Sequence, residues 1–200
     1  PDASYGGVVW GKAVPELTGA NVAFAVRARV TLLRDLGSAL SPDNAFGVIQ
    51  GLETVALRMK QHCDNAAKVV DYLNSHPLVE KIYYPGLLSE NDPQYATFKK
   101  QCSGCASTFS FTIKGAEPEA FKVLDSMQMA MLAVSLGGTE TLVQHPASMT
   151  HSPYSEEERR EAGISDSLIR ISAGLENVDD LLEDLKQSLD QMENQQEKVA

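Results

Sequence analysis

The sequence predicts an α/β chain: a mostly antiparallel or mixed sheet covered by helices and preceded by a long connecting helix. Three observations lead there. Apolar residues recur at helical spacing from residue 42 to residue 75. Residues Thr108 to Ile113 alternate strictly, with Phe109, Phe111 and Ile113 on one face and Thr108, Ser110 and Thr112 on the other, as in a half-buried strand. Two apolar runs, Met131 to Val134 and Leu168 to Ile171, read as buried strands that end on polar residues and then glycine.

Taken in order, residues 1–19 are rich in Gly and Pro, and Gly7-Val8-Val9-Trp10 reads as a strand end or an ordered loop. Val22, Val26, Val30 and Leu33 place one apolar stripe on a helix stopped at Gly37. Ser41 is the expected N-cap of the long helix over 42–75, with Pro42 at its first position and Asp43 favourable to its dipole. The helix ends at His76-Pro77, because the residue before proline disfavours the helical region. A strand is expected over Val79 to Tyr84, closed by Pro85-Gly86, then a short helix over Tyr95 to Gln101. After the alternating strand comes a helix from Pro118 to Ser126 and the strand running into Ser135. Ser155 followed by three glutamates marks a capped helix stopped at Gly163. Leu181, Leu182, Leu185 and Leu189 define a packed terminal helix, with fraying expected over 191–200. The sheet and its helices thus occupy 79–190, and residues 1–40 belong to a different layer from 41–200.

Composition narrows the function. A chain of 200 residues with 43% hydrophobic content has enough material for a core. A net charge of -10 argues against nucleic acid, which requires clustered Lys and Arg. No apolar run approaches a membrane span of about 20 residues, so no membrane partner is expected. Three cysteines make no disulfide framework, which points to a reducing cytoplasm. His145 and His151 lack companions at metal-ligand spacing, so structural roles are expected and no metal. Cys102 and Cys105 form a Cys-x-x-Cys without a second pair, and Cys63 lies far off in sequence; thiol–disulfide exchange is the weaker reading there. The glutamates of 156–161 read as a solvated helix face.

The candidate site is built on Arg170. A guanidinium leaving an apolar strand beside hydroxyls and free backbone N–H groups can hold a carboxylate through two parallel charge-assisted hydrogen bonds. Gly137-Gly138 allows close backbone approach nearby. Read from residue type alone, Arg170 is more often a structural ion pair or a snorkelling edge residue than a ligand, and Ser135 and Thr150 are more often strand-end and turn residues.

Three blocks decide between these readings: Ser135-Leu136-Gly137-Gly138, then His145-Pro146-Ala147-Ser148-Met149-Thr150-His151, then Ile169-Arg170-Ile171-Ser172-Ala173-Gly174-Leu175-Glu176. In order and spacing they resemble the C-terminal signature of the Cys/Met-metabolism family of pyridoxal-phosphate (PLP) enzymes, which have the type I PLP-dependent transferase fold. The resemblance implies pyridoxal 5'-phosphate as cofactor, and Arg170 as the clamp on the substrate α-carboxylate. Ser135, mainly through its backbone, and Thr150 would help. It implies that residues 1–40 are the tail of the cofactor domain and 41–200 the small domain.

The Schiff-base lysine of that family lies in a Ser-x-Thr-Lys-like segment, which no lysine here matches. It is therefore expected upstream of Pro1, and this portion alone is expected to be inactive. Residues 1–10 and 27–37 look most like the O-acetylhomoserine sulfhydrylase branch, which replaces acetate by sulfide to give homocysteine. Residues 135–151 are equally like methionine γ-lyases. An amino-acid substrate, sulfide or a thiol, and a homotetramer built from dimers are the partners the resemblance implies. A non-catalytic binding or oligomerisation module is the rival from another class.

Overall fold

The structure is a computed structural model that describes residues 1–196, with side chains described through residue 193. It divides into two compact units, Pro1–Glu53 and Thr54–Ala200.

The first unit is helical. A 3-10 turn, Ala3–Tyr5, leads to Val8, which bridges back antiparallel to Asp2 as the strand end or ordered loop expected over Gly7-Val8-Val9-Trp10 would, and Trp10 starts α1 (Trp10–Thr18). Asp2 anchors this turn: its carboxylate accepts from Ser4 N at 3.1 Å and from Trp10 Nε1 at 2.9 Å, and pairs with Arg27. The predicted helix over 20–36 is α2 (Ala23–Ala28) and α3 (Arg34–Leu36) joined by a π-helical turn over Arg29–Leu33, and it ends at Gly37 with φ 69°. Helix α4 (Pro42–Glu53) starts as expected at Ser41, whose hydroxyl accepts from Asn44 N.

The long helix expected over 42–75 is two helices. Thr54, at φ −109° and ψ 2°, leaves the helical region and separates α4 from α5 (Val55–Asn74). Gly51 and the β-branched Thr54, both weak helix formers, fall within one turn of each other. The Thr54 hydroxyl is then occupied by Arg58, which donates to it at 2.7 Å.

The second unit holds one five-stranded sheet in the order β1-β2-β5-β4-β3. Its strands are β1 (Val79–Tyr83), β2 (Thr108–Ile113), β3 (Met131–Leu132), β4 (Leu142–Gln144) and β5 (Leu168–Ser172). All neighbours are antiparallel except β3 and β4, so the sheet is mixed. Between β3 and β4 the chain must travel back along the sheet. That return, residues 133–141, carries Ser135 and Gly137 past the end of β5.

Alternation then sorts the sheet's two faces. Phe109, Phe111, Val143, Ile169 and Ile171 face the core. Ala66, Val69, Val70 and Leu73 of α5 meet them, with Ala120, Val123 and Leu124 of the helix over Glu117–Ser126. The terminal helix over Val178–Gln196 adds Leu185, Leu189 and Met192. The helix runs through Gln196, past residue 191 where fraying was expected, and the fully buried Met192 prolongs the stripe of Leu181, Leu185 and Leu189. Residues 197–200 lie outside the described residues.

Met131 to Val134 also departs from expectation. Only Met131–Leu132 is strand, and Met131, Leu132 and Val134 are more than half exposed, because the run lies on the sheet's edge.

The loop entering β3 hangs on Asp184. Its carboxylate accepts from the backbone N–H groups of Gln128, Met129 and Ala130 at 2.7–3.0 Å. Burial opposes its ionisation, but the three N–H donors and Gln187 outweigh this and hold the carboxyl below its ordinary value of 3.8. A folded-state value below the unfolded one gives stability that is present above pH 3.8 and lost as pH falls through the folded value. Asp184→Asn should therefore reduce stability at pH 7 by about 1.5–3 kcal/mol in urea unfolding. The gap to the parent protein should close as the medium is acidified. A gap that does not change with pH would show that the carboxylate charge has no part in holding this loop.

Candidate carboxylate site

On the face opposite the core, one row crosses the sheet. Arg170 of β5 lies between Ser110 of β2 and Gln144 of β4, its direct partners in the two ladders. The alternation that buries Ile169 and Ile171 is what turns Arg170 the other way. Its guanidinium is half-buried, and loss of water pulls its pKa below the usual arginine value, yet it stays charged at neutral pH.

Ser135 and Arg170 meet: Nη2 donates to the Ser135 carbonyl at 2.6 Å. Two residues on, Gly137 N donates to the Ser172 hydroxyl at 2.9 Å, with Gly137 at φ 77° in the left-handed region that favours glycine. The return loop is thus stitched to β5 at Arg170 and at Ser172. Thr150 is not part of this junction. It is exposed, and its hydroxyl lies 2.9 Å from His151 Nδ1 and 3.5 Å from the Pro146 carbonyl, with no hydrogen bond to Arg170 or Ser135.

A second layer of contacts, not anticipated from the sequence, fixes the segment after β5. Glu176 accepts from Thr141 N at 2.5 Å and from the Thr141 hydroxyl at 2.8 Å, while Gly174 N donates to that hydroxyl at 2.9 Å. Asn65 Nδ2 donates to the carbonyls of Gly174 and Glu176 at 3.0 and 2.9 Å. His62 Nδ1 lies 2.7 Å from the Ala173 carbonyl, so that nitrogen carries the proton. Gly174 is required by space: a Cβ there would come within 2.5 Å of the Thr139 carbonyl oxygen and the Glu140 carbonyl carbon. The Ser-Ala-Gly-Leu-Glu run was visible in the sequence. What it touches was not.

Gln144 is the other residue missed. It is 2% exposed, and its Oε1 has no hydrogen-bond partner; Arg170 Nε, beside it in the row, is likewise buried and unpaired. The one available signal was a polar residue closing the apolar pair Leu142-Val143.

His145 is held inside the fold, with Nδ1 2.8 Å from the Ser148 hydroxyl and Nε2 2.8 Å from the Asp166 carbonyl. Among the described residues no group of three or more His, Cys, Asp or Glu is placed to hold a metal ion. Cys63 donates to the backbone carbonyl of Cys105 at 2.7 Å, and all three thiols are free. The described lysines are exposed, apart from the partly exposed Lys122, and none takes a hydrogen bond from or gives one to the Arg170 network. Among the described residues, then, no sheltered amine stands beside Arg170.

Comparison with known proteins agrees with the three-block pattern. Residues 4–190 match the model of the Cys/Met metabolism PLP-dependent enzyme family. An L-methionine γ-lyase of Fusobacterium nucleatum subsp. nucleatum is 50% identical over 169 residues, covering 84% of this chain and 42% of that protein. An O-acetyl-L-homoserine sulfhydrylase of Leptospira meyeri is 43% identical over 195 residues, covering 94% and 43%. Among solved structures, a protein assigned as an O-acetylhomoserine (thiol)-lyase of Campylobacter jejuni subsp. jejuni superposes with a TM-score of 0.76 at 41% identity, covering 95% of this chain and 44% of that one. That structure carries N'-pyridoxyl-lysine-5'-monophosphate. The chain spans less than half the length of each of these relatives. With a family model matched over nearly all of its length, and relatives at this identity, the chain belongs to the Cys/Met metabolism family of PLP-dependent enzymes.

Proposed function

We propose that this chain supplies the amino-acid carboxylate grip of a PLP-dependent enzyme of sulfur amino-acid metabolism. The observation that carries the reading is Arg170: a half-buried guanidinium on the polar face of the sheet, braced by the Ser135 carbonyl, with no acidic side chain among the described residues paired to it. A structural arginine at such a place would be expected to have a carboxylate partner. A planar fork left with donors to spare suits a carboxylate that comes and goes.

In this reading Arg170 takes both carboxylate oxygens and Ser135 sets the angle of the fork through its main chain. Thr150 keeps the supporting part that the resemblance gives it, although no bond joins it to the other two. The cofactor, when bound, draws electron density from the substrate's α carbon. The work of this chain is orientation: an error of about an ångström in placing the Cα–H bond costs on the order of 100-fold in rate.

Both candidate reactions break a bond at the γ carbon and differ in the step after it. Replacement of acetate by sulfide to give homocysteine is supported by the likeness to the Leptospira meyeri and Campylobacter jejuni proteins. Elimination from methionine to 2-oxobutanoate, ammonia and methanethiol is supported by the 50% identity to the Fusobacterium nucleatum enzyme. The resemblance also supports a homotetramer and a cytoplasmic enzyme. No helix among the described residues is long and apolar enough to cross a membrane.

The two reactions separate in one assay. The complete enzyme carrying this sequence should form homocysteine from O-acetylhomoserine and sulfide; rapid release of methanethiol from methionine, with little homocysteine formed, would assign the lyase instead. In either case Arg170→Lys should lower kcat/KM on the order of 100-fold, since an ammonium cannot reproduce the planar fork. Kinetics identical to the parent enzyme would remove Arg170 from the site.

A further inference from the structure

Gln144 and Arg170 pose a single question in hydrogen bonding. Both Gln144 Oε1 and Arg170 Nε are buried and unpaired, one an acceptor and the other a donor, on residues that face each other across β4 and β5. Buried polar groups are nearly always satisfied, and an unmet acceptor is expensive to keep. An apolar residue here would pack beside Leu142 and Val143 without that penalty.

The guanidinium has two edges that can take a carboxylate, Nη1 with Nη2, or Nε with Nη2. Nη2 already leans on Ser135. We propose that Gln144 is a positioning residue that selects the end-on edge of Arg170: its Oε1 accepts the Nε–H, and its amide N–H donates to an oxygen of the bound carboxylate. That arrangement satisfies both unmet atoms, Gln144 Oε1 and Arg170 Nε. It blocks the side-on grip, fixes the carboxylate plane, and thereby fixes the direction in which the α carbon is presented. The inference rests on the carboxylate reading of Arg170 under the proposed function.

L-alanine, which has a carboxylate but no γ leaving group, and L-alanine amide, which lacks the carboxylate, separate this role from a structural one. In the complete enzyme, Gln144→Met and Gln144→Leu should weaken L-alanine binding about tenfold by calorimetry, the loss of one well-placed hydrogen bond. Binding of L-alanine amide should be unchanged. The melting temperature of the unliganded enzyme should hold or rise, because an Oε1 that is buried and unpaired in the free chain has been replaced by an apolar group. A fall in melting temperature, with both ligands weakened equally, would make Gln144 structural and overturn the proposal. Undiminished L-alanine affinity in both Gln144 variants, with a loss in Arg170→Lys, would overturn it while leaving the carboxylate site intact. Undiminished affinity in all three variants would overturn the carboxylate reading itself.

Discussion

Half-burying a guanidinium in the centre of a sheet strips it of water, and the groups around Arg170 are arranged to meet that loss without neutralising the charge. A carboxylate neighbour would satisfy the arginine permanently and leave nothing for a ligand. A backbone carbonyl satisfies part of it. The Ser135 carbonyl brings a dipole with no net charge, so Arg170 is held in direction yet keeps its attraction for an anion. This choice of partner fixes what the return loop must be. The loop has to deliver a carbonyl, not a side chain, to the end of β5, which places strict demands on its backbone.

Those demands are met from both sides of the sheet. Gly137, in a left-handed conformation, lets its N–H reach Ser172, and Glu176 binds Thr141 at the far end of the same loop. The segment that carries Glu176 is held in turn by Asn65 and His62, which stand on the same face of α5 as Ala66 and Val69. One helix face therefore does two jobs. Its apolar residues fill the core under the sheet, and its polar pair at the upstream end fastens the segment that positions the loop. Stability of the core and geometry of the site are coupled through α5.

This coupling marks the limit of what the sequence revealed. The strict alternation of 108–113 placed Phe109 and Phe111 in the core and Ser110 on the polar face, which is where Arg170 also lies. The Ser155 cap was legible because its capping box is local, with Glu158 reaching back to Ser155 N. Strand β4 was not, because three residues are too few to show a period. The run 131–134 was read as buried since apolar composition cannot tell an edge strand from a central one. Thr54 broke a helix whose apolar pattern continued past it, and Met192 extended one beyond its leucines, both through contacts that the one-dimensional pattern does not carry. Asn65 and His62 lie more than 100 residues from the carbonyls they bind.

The family signature gains a physical meaning from this arrangement. Ser135, Gly137, Thr141, Gln144, Arg170, Ser172, Gly174 and Glu176 are separate in sequence, yet each makes or permits a bond at the junction of the return loop with β5, or lies beside Arg170 in its row. All of them belong to the unit Thr54–Ala200. A grip on a carboxylate that every amino acid shares does not by itself choose a reaction. Relatives with different names, a γ-lyase and a sulfhydrylase, are alike over this region, as the proposed role of orienting a common group would require. Under that proposal, what distinguishes their products would act further along the substrate, at the γ carbon and at whatever nucleophile meets it, and a constant grip would let that chemistry vary while the α carbon stays aligned.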